Sequence, residues 1–157
     1  MLVNDSYANL KEILQKTHFG SVSGILLDLG LSSWQLEQSH KGFSFQKDEA
    51  LDMRYDLQNV LTAEKIVNEY PEDSIKKILE EYGEERFAAK IAKKIVEQRK
   101  KEKIQTTFAL KDIIRKAIPP KFLRQKIHFA TRTFQGLRIA VNGELDHLKS
   151  VLPDAIG

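Results

Sequence analysis

The chain has 157 residues, no cysteine and a formal net charge of +3, a length that suits one domain or one domain with an insertion. Its 41% hydrophobic and 30% charged residues are those of a soluble globular protein. Without cysteine, disulfides and thiolate metal sites are excluded, and no apolar run approaches the ~20 residues of a membrane helix. The opening stretch "MLVNDSYANLKEIL" does not read as a secretory signal, and a cytoplasmic protein without a membrane partner is the expectation.

In chain order, the first predicted element is a short helix over residues 6–17. Tyr7, Leu10, Ile13 and Leu14 recur at helical spacing, with Asp5 or Ser6 as the cap. Next, "GSVSGILLDLG" is bounded by glycine and apolar in its middle. Ile25 to Leu27 fit a short strand buried on both faces, as in a parallel sheet. From Leu31 to Asp56 no period is sustained, and the spacing predicts an ordered loop pinned by Phe43, Phe45, Leu51 and Met53.

After Thr62 the pattern turns helical. "TAEKIVNEY" has Thr62 as its N-cap and Pro71 as its bound. "PEDSIKKILEEYG" places Ile75, Ile78, Leu79 and Tyr82 on one face, with Gly83 as a C-cap. "EERFAAKIAKKIVEQRKKEK" lines up Phe87, Ala88, Ile91, Ile95 and Val96 opposite a row of lysines. "TTFALKDIIRKAI" starts at Thr106 or Thr107 and stops before Pro119-Pro120. "TRTFQGLRIAVNGELDHLKSVL" is the last predicted helix. Gly136 and Gly143 inside it suggest close approach of another backbone or a ligand, since each costs ~1 kcal/mol against alanine. One strand of parallel-sheet type without partners cannot make a sheet, so the chain is expected to be part of something larger.

The charge is unevenly laid out. From Arg86 to Lys126 there are 14 Lys/Arg and 3 Asp/Glu, leaving 11 and 19 for the rest of the chain. Such asymmetry fits either an electrostatic footprint for a polyanion or a solvated, lysine-rich helix face. Asp28 ends the predicted strand, where ligands bind in open α/β sheets. Its carboxylate can accept hydrogen bonds from a ribose, an amine or a base. Gly30 allows a turn, and Ser32 and Ser33 supply small donors or a cap. The alternative is a strand end whose polar groups only satisfy backbone. Asp48, Asp52 and Asp56 recur every four residues, but Arg54 among them favours ion pairing over a metal face. His18, His40, His128 and His147 lack ligand spacing, so no metal is assigned. No G-x-G occurs, and hence no dinucleotide loop. Trp34 and Phe43 read as loop anchors before base-stacking platforms.

Taken together, "GILLDLGLSSWQL", "KGFSF", "LDMRYD", "YGEERFAAKIAKKIV" and "HFATRTFQGLRIAVNGEL" are similar in order and spacing to the MraW family, the bacterial small-subunit rRNA cytosine-N4 methyltransferases. The resemblance runs from about Tyr7 to Ile156. It implies an α/β fold: a Rossmann-like S-adenosylmethionine-binding domain with a helical domain inserted in it, this stretch itself being mostly α. On that reading residues 1–34 are part of the methyltransferase domain. Residues 35–126 are the inserted helical domain for RNA recognition, and 127–157 return to the methyltransferase domain. The cofactor implied is S-adenosyl-L-methionine, contacted by Tyr7, Asp28 and Gln35, and the partner is small-subunit ribosomal RNA or the 30S subunit. A catalytic role for Asp28 is a further candidate. Lys41, Arg54, Arg132 and Arg138, with the basic stretch, are candidates for holding RNA phosphates.

The sequence departs from the family pattern at Lys41 (usually arginine), Glu49-Ala50 (Gly-Pro), Tyr55 (methionine) and Phe129 (proline), which leaves local loop shape open. The family's "GGH" loop and the acid after its second strand have no counterpart here. The expectation is therefore the middle of a longer enzyme, inactive alone. The competing expectation is a helical module that binds RNA or protein without catalysis.

Overall fold

A computed structural model describes residues 2–18 and 22–156, and among these residues the regular structure is helical. In chain order the helices are α1 (Leu10–Thr17), α2 (Ser33–Gln38), α3 (Ala63–Glu69), α4 (Glu72–Glu81), α5 (Ala88–Arg99), α6 (Thr107–Ala117), α7 (Thr131–Asn142) and α8 (Glu144–Ile156). Short 3-10 turns lie at Tyr7–Asn9 and Pro120–Phe122. The chain divides into two compact units, residues 1–30 with 143–157, and residues 31–142.

The larger unit is built on the apolar stripes that the spacing predicts. Ile75 and Leu79 of α4, Ile91 and Ile95 of α5, and Leu110 and Ile114 of α6 are all fully buried in one cluster with Ile66, Val67 and Leu137. Each such side chain stabilises the fold by about 1.5–3 kcal/mol. Threonines start two of these helices. Thr62 accepts from the Lys65 amide at 3.1 Å, and Thr106 from Ala109 at 3.3 Å, so each satisfies an orphan N–H of the first turn.

The predicted loop before α3 is held as the sequence suggests. Leu51 and Met53 are fully buried, Phe43 nearly so, and Tyr55 stacks on Phe43 at 5.5 Å. Its backbone is tied to distant chain: Leu51 N donates to Gln105 O at 3.0 Å and Thr107 N to Glu49 O at 3.0 Å, around an isolated bridge between Ala50 and Thr106. At the end of α7, the Asn142 side chain donates to Met53 O and accepts from Tyr55 N, both at 2.8 Å. Asn59 satisfies the Val141 carbonyl at 2.7 Å. The loop therefore closes the C-terminal end of α7, whose last carbonyls have no intrahelical partner. Within this region the sequence reading missed α2, six residues whose start is fixed by side chains and not by an apolar period.

Three other expectations change. Ile25 to Leu27 form no ladder, and Leu26 is 95% exposed, so the strand buried on both faces is absent among the described residues. An apolar run shows that a strand is possible, but partner backbone makes one. Gly20 and Ser21 of the same predicted stretch lie outside the described residues. The single helix predicted from Thr131 is two, because Gly143 takes φ +59 between α7 and α8. Gly83 does not act as a left-handed cap, since the C-cap is Tyr82 and Glu84 takes the positive φ of 49. Gly83 is needed for another reason. A Cβ there would lie 2.4 Å from Arg132 O, and one at Gly136 would lie 3.2 Å from Gly83 N. The close backbone approach expected at Gly136 is thus present, and its partner is the turn after α4.

In the smaller unit, the Tyr7 hydroxyl donates to the Glu144 carbonyl at 3.2 Å, and its ring meets His147 edge-on at 6.5 Å. Val151 of α8 is fully buried.

Candidate functional site

The candidate cofactor residues fall in both units, and each is described within its own. Asp28 lies in the extended segment of the smaller unit, exposed, with no hydrogen bond or ion pair among the described residues. Gly30 follows it at φ +113, a backbone that L side chains rarely adopt. The carboxylate therefore lies two residues before a bend, with no partner among the described residues. Tyr7, in the same unit, spends its hydroxyl on Glu144 O, and burial followed by the Glu144 charge holds its pKa above the usual phenol value.

Gln35 belongs to the larger unit, where its carbonyl oxygen accepts from Ser32 N at 3.0 Å and Ser32 Oγ at 3.2 Å. Ser32 Oγ accepts in turn from Gln35 N at 3.2 Å. This is a reciprocal capping box that starts α2. Ser32 is a cap, as one reading of "LGLSS" allowed. Gln35 keeps only its Nε2 donors for a ligand.

The basic candidates divide by how their donors are used. Arg54 grips Asp52 as a fork, Nε to Oδ1 and Nη2 to Oδ2, both at 2.8 Å. Its Nη1 donates to the Leu57 and Asn59 carbonyls at 3.1 and 2.7 Å. The fork holds the Asp52 carboxyl below its usual pKa. Lys41 Nζ reaches the Arg54 and Tyr55 carbonyls at 3.2 and 3.5 Å, so the structure brings these two residues together inside one loop. The other acids of the predicted row act singly: Asp48 accepts from Phe108 N and Asp56 from Gln58 N. Arg132 and Arg138 both project from α7. Arg132 Nη1 donates to Glu84 O at 2.6 Å, and the Arg138 carbonyl accepts from Asn142. Trp34 is 66% exposed on α2 and anchors nothing by burial.

Beside Arg132 lies a feature that the sequence reading contained only as part of a basic run. A cavity of about 220 Å³ opens between the turn before α5 and the segment that leads into α7, lined among others by Arg86, Phe87, Phe122, Lys126, His128 and Arg132. The Arg86 guanidinium lies 3.9 Å from the Phe122 ring centroid and 4.7 Å from that of Phe87. His128 is sandwiched between Phe45 at 4.4 Å and Phe129 at 4.2 Å, so its faces are covered while its edge is exposed. Its Nδ1 accepts from Ala130 N at 3.2 Å, which leaves the proton on Nε2. Burial first, and then the Lys111 charge, hold its pKa below 6.5. The sequence signal for this site was the alternation of basic and aromatic residues in "ERF" and "KFLRQKIHF", two segments far apart in the chain.

Among the described residues no group of three or more His, Asp or Glu gathers as a metal site, and no helix is long and apolar enough to cross a membrane. Comparison with known proteins finds relatives that share a name. A protein of Acetivibrio thermocellus named ribosomal RNA small subunit methyltransferase H is 54% identical over 154 residues, 98% of this chain and 49% of the relative. A protein of that name from Sulfurihydrogenibium sp. (strain YO3AOP1) is 50% identical over 155 residues, 99% of this chain and 53% of the relative. Another, from Thermosipho melanesiensis, is 49% identical over 156 residues. The chain spans about half the length of these relatives. The model of the MraW methylase family matches residues 1–157, and the chain belongs to that family.

Proposed function

We propose that this chain is part of an S-adenosylmethionine-dependent enzyme that methylates the exocyclic N4 of a cytidine in small-subunit ribosomal RNA, in the cytoplasm. One observation carries the reading: about half of all positions, across nearly the whole chain, are identical to relatives named as rRNA methyltransferases. When bound, S-adenosylmethionine supplies an electrophilic methyl group. The chain's own residues then have two tasks.

The first is to hold the cofactor. Asp28 has the chemistry for it, an exposed carboxylate with no hydrogen bond or ion pair among the described residues. It suits a ribose hydroxyl or an amine, both of which donate. The Nε2 of Gln35 is a remaining donor, and the Tyr7 ring offers an edge beside His147. The second task is to position an amine that is a poor nucleophile, since its lone pair is delocalised into the ring. Such a step needs the reacting atoms held about 3–3.5 Å apart and in line. A carboxylate that accepts the amine hydrogens favours both the geometry and the charge that develops. Asp28 is our candidate for this as well.

The test is Asp28→Ala in the full-length enzyme, with S-adenosylmethionine affinity read by calorimetry and methyl transfer read on 30S subunits. Loss of affinity is expected. An unchanged affinity removes Asp28 from the cofactor site, and an inactive wild-type enzyme removes the reading itself. Calorimetry on the 157-residue chain alone separates a cofactor-binding piece from a helical binding module.

A further inference from the structure

We propose that the cavity between the turn before α5 and the segment entering α7 binds a phosphodiester of single-stranded RNA, with the Arg86 guanidinium as its anion fork. The proposal rests on the rRNA-methylation reading and gives it a specific backbone contact.

The first ground is an accounting of arginine donors. Arg54 is spent on Asp52 and two carbonyls. Arg99 donates to the Val67 and Tyr70 carbonyls at 3.0 and 2.7 Å. Arg115 pairs with Asp112 at 3.3 Å, and Arg132 gives one donor to Glu84 O. Arg86, like Arg124, makes no hydrogen bond or ion pair among the described residues, and of the two Arg86 has its Cζ over aromatic rings, those of Phe87 and Phe122. Two rings whose centroids are 5.1 Å apart hold it by their faces. Stacking orients a guanidinium without using an N–H, and leaves its edge for a planar, bidentate acceptor such as a phosphate.

The second ground is the charge around the fork. Arg86, Lys126 and Arg132 line the cavity with one carboxylate, Glu85, and that group is turned inward to accept from Phe87 N at 2.9 Å. The α5 helix begins at Ala88, directly after the lining residue Phe87, and α7 at Thr131, two residues after the lining residue Phe129, so their positive ends add to the cations. Phe87, Phe122, Ile118 and Phe129 add apolar lining beside the cations. The third ground is repetition. The cavity sits in the stretch of 14 Lys/Arg and 3 Asp/Glu, and a row of cations matches an anion that recurs along a strand better than it matches one isolated carboxylate.

The experiment is fluorescence anisotropy of a labelled single-stranded RNA with the 157-residue chain across a salt series. Wild type should bind with a steep salt slope. Arg86→Gln should weaken binding about tenfold and lower the slope by about 0.7, the share of one phosphate on a single strand. Arg86→Lys should keep the slope but lose affinity, because the charge remains and the fork does not. Lys77→Gln, on an exposed α4 lysine paired with Glu81, should change neither. Should Arg86→Gln melt early, Lys126→Gln carries the same test at an exposed position. Wild-type affinity and slope in both cavity variants would overturn the site and leave the methylation reading intact. Binding of polyglutamate but not RNA would overturn it in favour of an acidic protein partner.

Discussion

Replacing Gly83 by alanine tests the packing that carries the cavity. The added methyl would lie 2.4 Å from Arg132 O and 2.9 Å from Leu79 O. Ordinary carbon contacts lie near 3.5 Å, so the Arg132 carbonyl must retreat by roughly an ångström. Neither obstacle is the flexible end of a side chain. One is backbone in the first turn of α7 and the other is backbone of α4. Overpacking costs about 1–3 kcal/mol, and two rigid carbonyls place this change at the upper end, about 3 kcal/mol. For a unit of this size that is a fall in melting temperature of roughly 10 °C or more. Gly136→Ala makes the contrast. Its methyl would meet Gly83 N at 3.2 Å and Ile78 O at 3.3 Å, a few tenths short of normal contact. That strain is offset by the ~1 kcal/mol that alanine gains over glycine inside a helix. Urea denaturation followed by circular dichroism should rank Gly83→Ala well below Gly136→Ala, with Gly136→Ala within about 1 kcal/mol of wild type. The two residues share one contact, so the double variant should not be additive. An unchanged midpoint for Gly83→Ala, or a larger loss at Gly136, would refute the close-packed turn.

Two further outcomes depend on pH. The Arg54 fork lowers the Asp52 pKa from 3.8, so its stabilisation is present above that value and is lost as pH falls through the folded one. Asp52→Asn should destabilise by about 1 kcal/mol near neutral pH, with a much smaller difference in strong acid, and equal urea midpoints at neutral pH would contradict the fork. For His128 the lowered value means that the neutral ring is the native form. Stability should be complete above 6.5 and fall as pH drops through 6.5 toward the folded pKa, since the unfolded chain takes up the proton first. An NMR titration of the His128 ring with a midpoint at or above 6.5 would contradict its burial beside the Lys111 charge.

The helices of the larger unit were legible because each carries its own instructions. Thr62 and Thr106 are polar caps followed by apolar residues at three- and four-residue spacing, and both the cap bonds and the buried faces follow. Elements specified by partners were not. Ile25 to Leu27 read as a strand from composition alone, but a strand is a property of two backbones, and the described residues supply no second one. Gly83 and Gly136 show a middle case. Sequence marks Gly136 as costly inside a helical pattern and Gly83 as the cap that ends one. It does not show that the two meet, because the contact joins residues 53 positions apart.

The site was legible to a similar depth. Asp28 stands at the end of an apolar run, and its carboxylate is exposed and unspent, as a ligand contact requires. Among the basic residues, sequence counts charges but cannot count free donors. Arg54 and Arg86 look alike in sequence, each with an acid within two residues and an aromatic residue next to it. Folding gives Arg54 four acceptors and Arg86 two ring faces. The first is thereby committed to holding a loop, where loss of the side chain would register as lost stability. The second is oriented with its donors idle, where loss would register as lost affinity for an anion. A basic stretch becomes an interface at those positions where the fold fixes a cation's direction without consuming its hydrogen bonds, and in this chain Arg86 meets both conditions.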